Sequence, residues 1–159
     1  MNIRLATANE IDALVEFNQA MALETEGKTL DTDILRRGVS AVFSAENKGF
    51  YGVAENEGRI VGGLMVTYEW SDWRNRWFWW IQSVYIRPEA RGQRIYSQLH
   101  DFVKARAVEA DVFGIRLYVI VRPTEAEAWA AAQGLYDHMG DAAIAGAQAY
   151  VAGIDSVGE

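Results

Sequence analysis

Residues Trp77–Ala110, WFWWIQSVYIRPEARGQRIYSQLHDFVKARAVEA, decide how the rest of the chain is arranged. Trp77 to Ile86 is aromatic and β-branched, the composition of a strand, whereas Ile95, Leu99, Phe102 and Val103 recur at the spacing of one helix face. The period changes across Arg87–Arg94 (RPEARGQR), where a proline ends the strand and a glycine permits close approach to the backbone. A helix start exposes unpaired N–H groups and a partial positive charge, so it attracts phosphate. From Arg87 to Arg106 five basic residues stand against two acidic ones, a local +3 on a chain of net charge −7. Such an island suits a phosphorylated ligand, although on charge alone a solvated helix start with scattered arginines explains it more simply.

On the N-terminal side of this stretch, Asn2 to Thr7 reads as a short strand and Ala8-Asn9-Glu10 as the opening of a helix. Ile11, Leu14, Val15, Phe17, Met21 and Ala22 carry that helix to about Leu23. Glu24 to Lys28 then reads as an acidic loop, and Leu30-Asp31-Thr32-Asp33 as the cap of a second helix reaching Phe43. Phe50 to Glu55 and Arg59 to Glu69, separated by Asn56-Glu57-Gly58, form a hairpin signal, with Gly62-Gly63 marking a bulge or a close approach. Ser71 to Arg76 is the next turn, so three consecutive antiparallel strands are expected.

On the C-terminal side, Ile115 to Val121 is a further strand with Asp111 to Gly114 as its lead-in. Strand, helix and strand in succession make a crossover unit whose two strands run parallel. Thr124 to Met139 reads as another helix capped by Gly140, and Gln148 to Ala152 as a last strand. No repeat or linker interrupts residues 1–159, so one domain is expected.

Bulk properties remove several classes of function. Half of the 159 residues are hydrophobic, which excludes a disordered chain, and no apolar run is long enough for a membrane helix. MNIRLATANE lacks the apolar core of a secretory signal, so a cytoplasmic location is expected. Zero cysteines exclude disulfides and thiolate catalysis; two histidines, His100 and His138, without metal-ligand spacing speak against a metal site. Net acidity and the lack of any Lys or Arg beyond Arg122 make nucleic acid a poor partner. Five of the six tryptophans fall between Trp70 and Trp80, and in a regular strand Trp79 and Trp80 point to opposite sheet faces. Aromatics alternating along a strand usually face a core; the competing reading is that some line a ligand pocket, and at most one of these two does each job, with Trp80 the candidate for the pocket.

The stretch Val84-Tyr85-Ile86-Arg87-Pro88-Glu89-Ala90-Arg91-Gly92-Gln93-Arg94-Ile95-Tyr96 resembles the acetyl-CoA signature of the GNAT N-acetyltransferases, a strand followed by Arg/Gln-x-x-Gly-x-Gly/Ala at the start of a helix. Here Arg94 and Tyr96 stand at the family's glycine and glycine-or-alanine positions. The order of elements is similar to the whole GNAT fold: a mixed α/β, mostly antiparallel central sheet of six to seven strands flanked by about four helices. Leu135-Tyr136-Asp137-His138-Met139-Gly140 resembles the family's second landmark, with Trp129 at the position of its asparagine and Asp141 at that of its phenylalanine.

The resemblance implies a function. Acetyl-CoA would be the co-substrate, its diphosphate on the amides of Arg91, Gly92, Gln93, Arg94, Ile95 and Tyr96 and its pantetheine arm along Val84, Tyr85 and Ile86. A primary amine, on a small molecule or a peptide, would attack the thioester directly; backbone N–H groups of Val84 to Ile86 would hold the oxyanion and Tyr136 would protonate the leaving sulfur. The proton acceptor stays open between Glu69, acting through water, and Gln82, which stands where some family members carry a glutamate and can only orient a water. Glu24 and Glu26 would attract a cationic acceptor, although acidic loop residues also simply keep a chain in solution. The aromatic-rich edges and apolar tail are surfaces that a homodimer would use. The alternative is a catalytically silent acyl-CoA-binding or interaction domain on the same fold, suggested by Gln82, Arg94, Tyr96 and Trp129.

Overall fold

A computed structural model describes residues 1–117 and Ala130, and the first 117 form one compact unit. Strand β1 (Asn2–Leu5) leads through a short turn at Ala8–Glu10 into helix α1 (Ile11–Glu26). That turn is a capping box: Thr7 accepts from Asn9 N–H while the Glu10 carboxylate returns to the Thr7 N–H. Arg4 bridges Glu10 and Glu55 at 3.0 and 2.9 Å, tying the start of α1 to the sheet edge. The Arg4 guanidinium, with help from Thr7, holds the Glu10 carboxyl down to about 2 against the partial cost of its burial.

The expected acidic loop at Glu24–Lys28 is corrected. Helix α1 continues through Glu24 and Glu26 and stops at Gly27, whose φ of 63° places it in the left-handed region. The Gly27 N–H reaches the Leu23 carbonyl at 3.1 Å, so the glycine terminates the helix where the change in polarity suggested an earlier end. Asp31 caps helix α2 (Thr32–Ser44) by accepting from the N–H groups of Asp33 and Ile34 at 3.0 and 2.9 Å.

Strands β2 (Phe50–Asn56), β3 (Arg59–Ser71) and β4 (Arg76–Ile86) follow as expected, each antiparallel to its predecessor. Glu57 and Gly58 join β2 to β3 with φ of 51° and 78°, the two-residue turn whose twist matches the strands. Helix α3 (Ile95–Glu109) crosses back to strand β5 (Gly114–Arg116), which pairs with β4 in parallel. The sheet order is β1-β2-β3-β4-β5, mixed and mostly antiparallel. Strand β5 begins one residue earlier than its sequence pattern suggests, since Gly114 already pairs with Phe78, and Leu117 lies outside the described strand. Among the described residues there are five strands and three α-helices; the expected helix at Thr124–Met139 and the strand at Gln148–Ala152 lie outside them.

Alternation along the strands divides the core in two. On one face α3 buries Ile95, Leu99 and Val103 against Leu64, Val66, Trp79 and Ile81. On the other, α1 and α2 bury Leu14, Val15, Phe17 and Val39 against Tyr51 and Val53. Trp79 and Trp80 do point to opposite faces: Trp79 joins the α3-side core, while Trp80 is half-buried on the other side.

Two interruptions of the ladder matter for the site. Between β2 and β3 the register skips Val61, next to Gly62, where an added Cβ would sit 3.3 Å from Ile86 Cγ1. Between β3 and β4 it skips Gln82, since Met65 pairs with Ser83 and Val66 with Ile81.

Candidate functional site: the β4 end and the start of helix α3

Among the described residues, strand β4 has a partner on both sides from Phe78 to Trp80. Its ladder to β5 runs from Phe78 to Trp80, so the described partner of residues 81–86 is β3 alone. Beyond the Gln82 bulge, Val84 and Ile86 turn toward the α3-side core while Tyr85 packs on Phe17, with ring centroids 5.2 Å apart. The chain then turns at Pro88–Ala90 and enters Arg91-Gly92-Gln93-Arg94.

That loop explains the residue types the family motif calls for. Gly92 has φ of 76° and Arg94, the residue preceding α3, has φ of 59°. Glycine adopts a left-handed conformation without strain, which suits it to this position before a helix. Arginine here carries a modest backbone cost. No side chain caps α3, and its first turn holds no acidic residue, so the helix start keeps its attraction for an anion.

The groove beside this loop has a volume of about 300 Å³ and is walled by Val84, Ile86, Arg91, Tyr96, Met21 and Glu24. Tyr96 is more than one-third exposed and stands along the wall, its ring 6.0 Å from that of His100. The bulk at Tyr96 therefore leaves the groove open.

Charges in the loop are less available than their number suggests. Arg87 is committed: it grips Glu16 with two bonds of 2.6 and 2.8 Å, donates to the Ile60 carbonyl at 3.1 Å and lies over the Phe17 ring. Arg91 donates to the Ile86 carbonyl at 3.0 Å and to Glu24 at 2.7 Å. Glu24 also accepts from the Tyr85 hydroxyl at 3.0 Å, and Arg91 followed by that hydroxyl holds the Glu24 carboxyl below its usual range. Conversely, burial and then the Glu24 carboxylate push the Tyr85 phenol up. Arg94 and Gln93 are exposed, and Arg94 has no side-chain partner among the described residues. Glu26, expected beside Glu24, is instead exposed and paired with Lys28 at 2.7 Å, away from the groove.

The structure brings a second group together on the α1 side of the sheet. Glu69 accepts from the Trp80 indole N–H and from Arg116 at 3.0 Å. Arg116 lies 3.8 Å over the Phe78 ring and 5.4 Å from that of Trp80. Sequence reasoning selected Glu69 and Trp80 and missed Arg116. Its signal was the parallel register, which sets Arg116 opposite Trp80, and that register was not legible from periodicity. Gln82 is exposed at the bulge, two residues beyond Trp80. Tyr136, Trp129 and Asp141 lie outside the described residues.

A mixed sheet with a bulged fourth strand feeding an uncapped helix start is an arrangement shared with acetyltransferases of known structure. Residues 11–140 match the model of the acetyltransferase (GNAT) family, and the chain belongs to that family. It is similar to the crystal structure of a possible acetyltransferase from Clostridium difficile 630, with 40% identity over 84% of this chain and 88% of that one, at a TM-score of 0.71. The fold is also that of a predicted acetyltransferase from Clostridium acetobutylicum solved with acetyl-CoA, at 21% identity over 74% of this chain and 80% of that one, TM-score 0.63. A ribosomal-protein-alanine N-acetyltransferase from Brucella melitensis biovar Abortus 2308 shares the fold at 13% identity over 88% and 91% of the two chains, TM-score 0.61. Among the described residues no helix is long and apolar enough to cross a membrane.

Proposed function

We propose that the protein is an acetyl-CoA-dependent N-acetyltransferase, a single domain over residues 1–159, that acetylates a primary amine on a small molecule or peptide by direct attack. One observation carries the reading: Arg91 and Tyr96, on either side of the uncapped start of α3, line the same groove as Val84, Tyr85 and Ile86 of β4. The groove suits such a ligand in chemistry, since the Arg91 cation lines it together with half-buried apolar residues, Val84 and Ile86. The amides of Gly92 to Tyr96 and the Arg91 and Arg94 guanidiniums would hold the diphosphate, and β4 backbone at Val84 to Ile86 the pantetheine and thioester. Acetyl-CoA supplies an activated acetyl group; the amine nitrogen bonds to its carbonyl carbon as the carbon–sulfur bond breaks.

Tyr136 is assigned the protonation of the departing sulfur, by its place in the family's second landmark. Gln82, at the bulge, and Glu69, near Trp80, are assigned to the amine side, where a water held by either would relay the proton. Trp80 offers the acceptor an aromatic surface. Glu26, with its exposed pair to Lys28, contributes only long-range attraction for a cationic acceptor.

A second reading, a silent acyl-CoA-binding domain, is favoured by two features: the amide of Gln82 cannot take a proton, and Glu69 is already held by Arg116. Calorimetry with acetyl-CoA and a thiol-release assay across a panel of amines separate the two. Turnover with any amine supports the enzyme; binding without release for every amine supports the silent domain. Within the first reading, Tyr136→Phe lowers turnover far more than affinity for acetyl-CoA, and an equal loss of both would remove Tyr136 from its assigned role.

A further inference from the structure

The last turn of α1 reaches across the groove. Glu24 bonds at once to Arg91, in the loop before α3, and to Tyr85, near the end of β4, so one carboxylate links three elements around the groove. The guanidinium it holds is the one nearest the apolar wall, since Arg91 also donates to the Ile86 carbonyl. An incoming diphosphate meets this carboxylate already bound to a cation it needs, and two anions sharing one exposed guanidinium repel each other.

The rest of α1 is fastened separately. Two turns earlier, Glu16 grips Arg87 through two bonds, and Phe17 packs beneath that guanidinium. Freeing Arg91 therefore requires only the Glu24 side chain to rotate, with the helix left in place. The Glu24 side chain is about two-fifths exposed, so solvent can receive it.

We infer that Glu24 is a displaceable internal anion: it occupies Arg91 in the free protein and is expelled when the diphosphate of a CoA thioester binds. This rests on the acyltransferase reading above and assigns Glu24 to the cofactor side of the site, as a residue that sets cofactor affinity. Exchange of one anion for another at Arg91 costs affinity relative to a protein in which the guanidinium stands ready. The released carboxylate gains its own hydration, which keeps the cost small.

The test is calorimetric titration of the full chain with CoA and, separately, with pantetheine, which lacks the diphosphate. Glu24→Gln keeps a hydrogen-bonding partner for Tyr85 but removes the charge, and is expected to bind CoA about fivefold more tightly, the scale of one exposed ion pair. Its affinity for pantetheine stays as in the wild type. Glu26→Gln, which removes the same charge outside the groove, is expected to change CoA affinity by less than about half as much. Unchanged or weaker CoA binding by Glu24→Gln overturns the inference, as does an equal gain in Glu26→Gln or an equal gain for pantetheine. Failure of all three proteins to bind CoA would instead overturn the acyltransferase reading itself.

Discussion

The two halves of β4 do opposite things with the same backbone. From Phe78 to Trp80 the strand is paired on both sides, and the Phe78 and Trp79 side chains are buried. From Val84 to Ile86 it has a described partner on one side only and borders a groove lined by charged and half-buried groups. Gln82, unpaired at the bulge, lies between them. The bulge shifts the register between the two halves, so the β3 ladder resumes from Ser83 to Ile86 with Val84 and Ile86 against the α3-side core and Tyr85 against Phe17.

Truncating the anchored half should cost the most. Trp79 touches Phe50 and Tyr68 at centroid distances of 5.0 and 5.7 Å inside the α3-side core. Trp79→Ala is expected to lower unfolding free energy by about 3–5 kcal/mol in urea denaturation. A loss below about 1 kcal/mol would mean that the aromatic half is no anchor.

The open half should respond through binding before stability. Arg91→Ala removes an exposed pair and is expected to weaken CoA binding roughly tenfold in calorimetry, with a shift in stability within about 0.5 kcal/mol. Equal effects on both would erase the contrast between the halves.

Acid sharpens the comparison further, because carboxylates fasten α1 at its start and along the groove. Glu10 lies at about 2 in the folded protein, below its ordinary 4.5, so its contribution is complete above pH 4.5 and is lost as the pH falls toward 2. Its pair with Arg4 is partly exposed, which limits that contribution to about 1 kcal/mol. Glu16 and Glu24 are also held below the carboxylate range, chiefly by Arg87 and Arg91, so their contributions act in the same direction. Denaturant midpoints between pH 5 and 2 should fall, and Glu10→Gln should flatten part of that slope.

The smallest effect is expected at the helix start. Arg94→Gly relieves a left-handed backbone and should raise stability by about 0.5–1 kcal/mol in thermal unfolding. The same change removes an exposed guanidinium from the loop before α3, so CoA affinity should fall while stability rises. A drop in stability would show that the Arg94 side chain carries packing absent from its exposed position.

Residue patterns made much of this legible. The switch of period at Arg87–Arg94 located the strand-to-helix junction, and alternation predicted that Trp79 and Trp80 part company. Composition misled at Glu24–Lys28, because acidity resembles a loop whereas the helix was ended by Gly27 and its left-handed cap. The basic island was legible as a count of charges. Its pairing was not, because Glu16 and Glu24 lie on α1, about seventy positions earlier in the chain, at separations of 71 and 67 residues from Arg87 and Arg91. Arg116 was missed for the same reason: its partners Glu69 and Trp80 become neighbours only once β5 pairs with β4.

The central claim is that the open half of β4 and the start of α3 form the CoA site. Amide NMR during titration with CoA tests it directly. The largest shifts are expected at Val84 to Ile86 and Gly92 to Tyr96, with the indole signals of Trp77 and Trp79 nearly unmoved. Largest shifts at Trp77 to Trp80, or no shifts at saturating CoA, would contradict it.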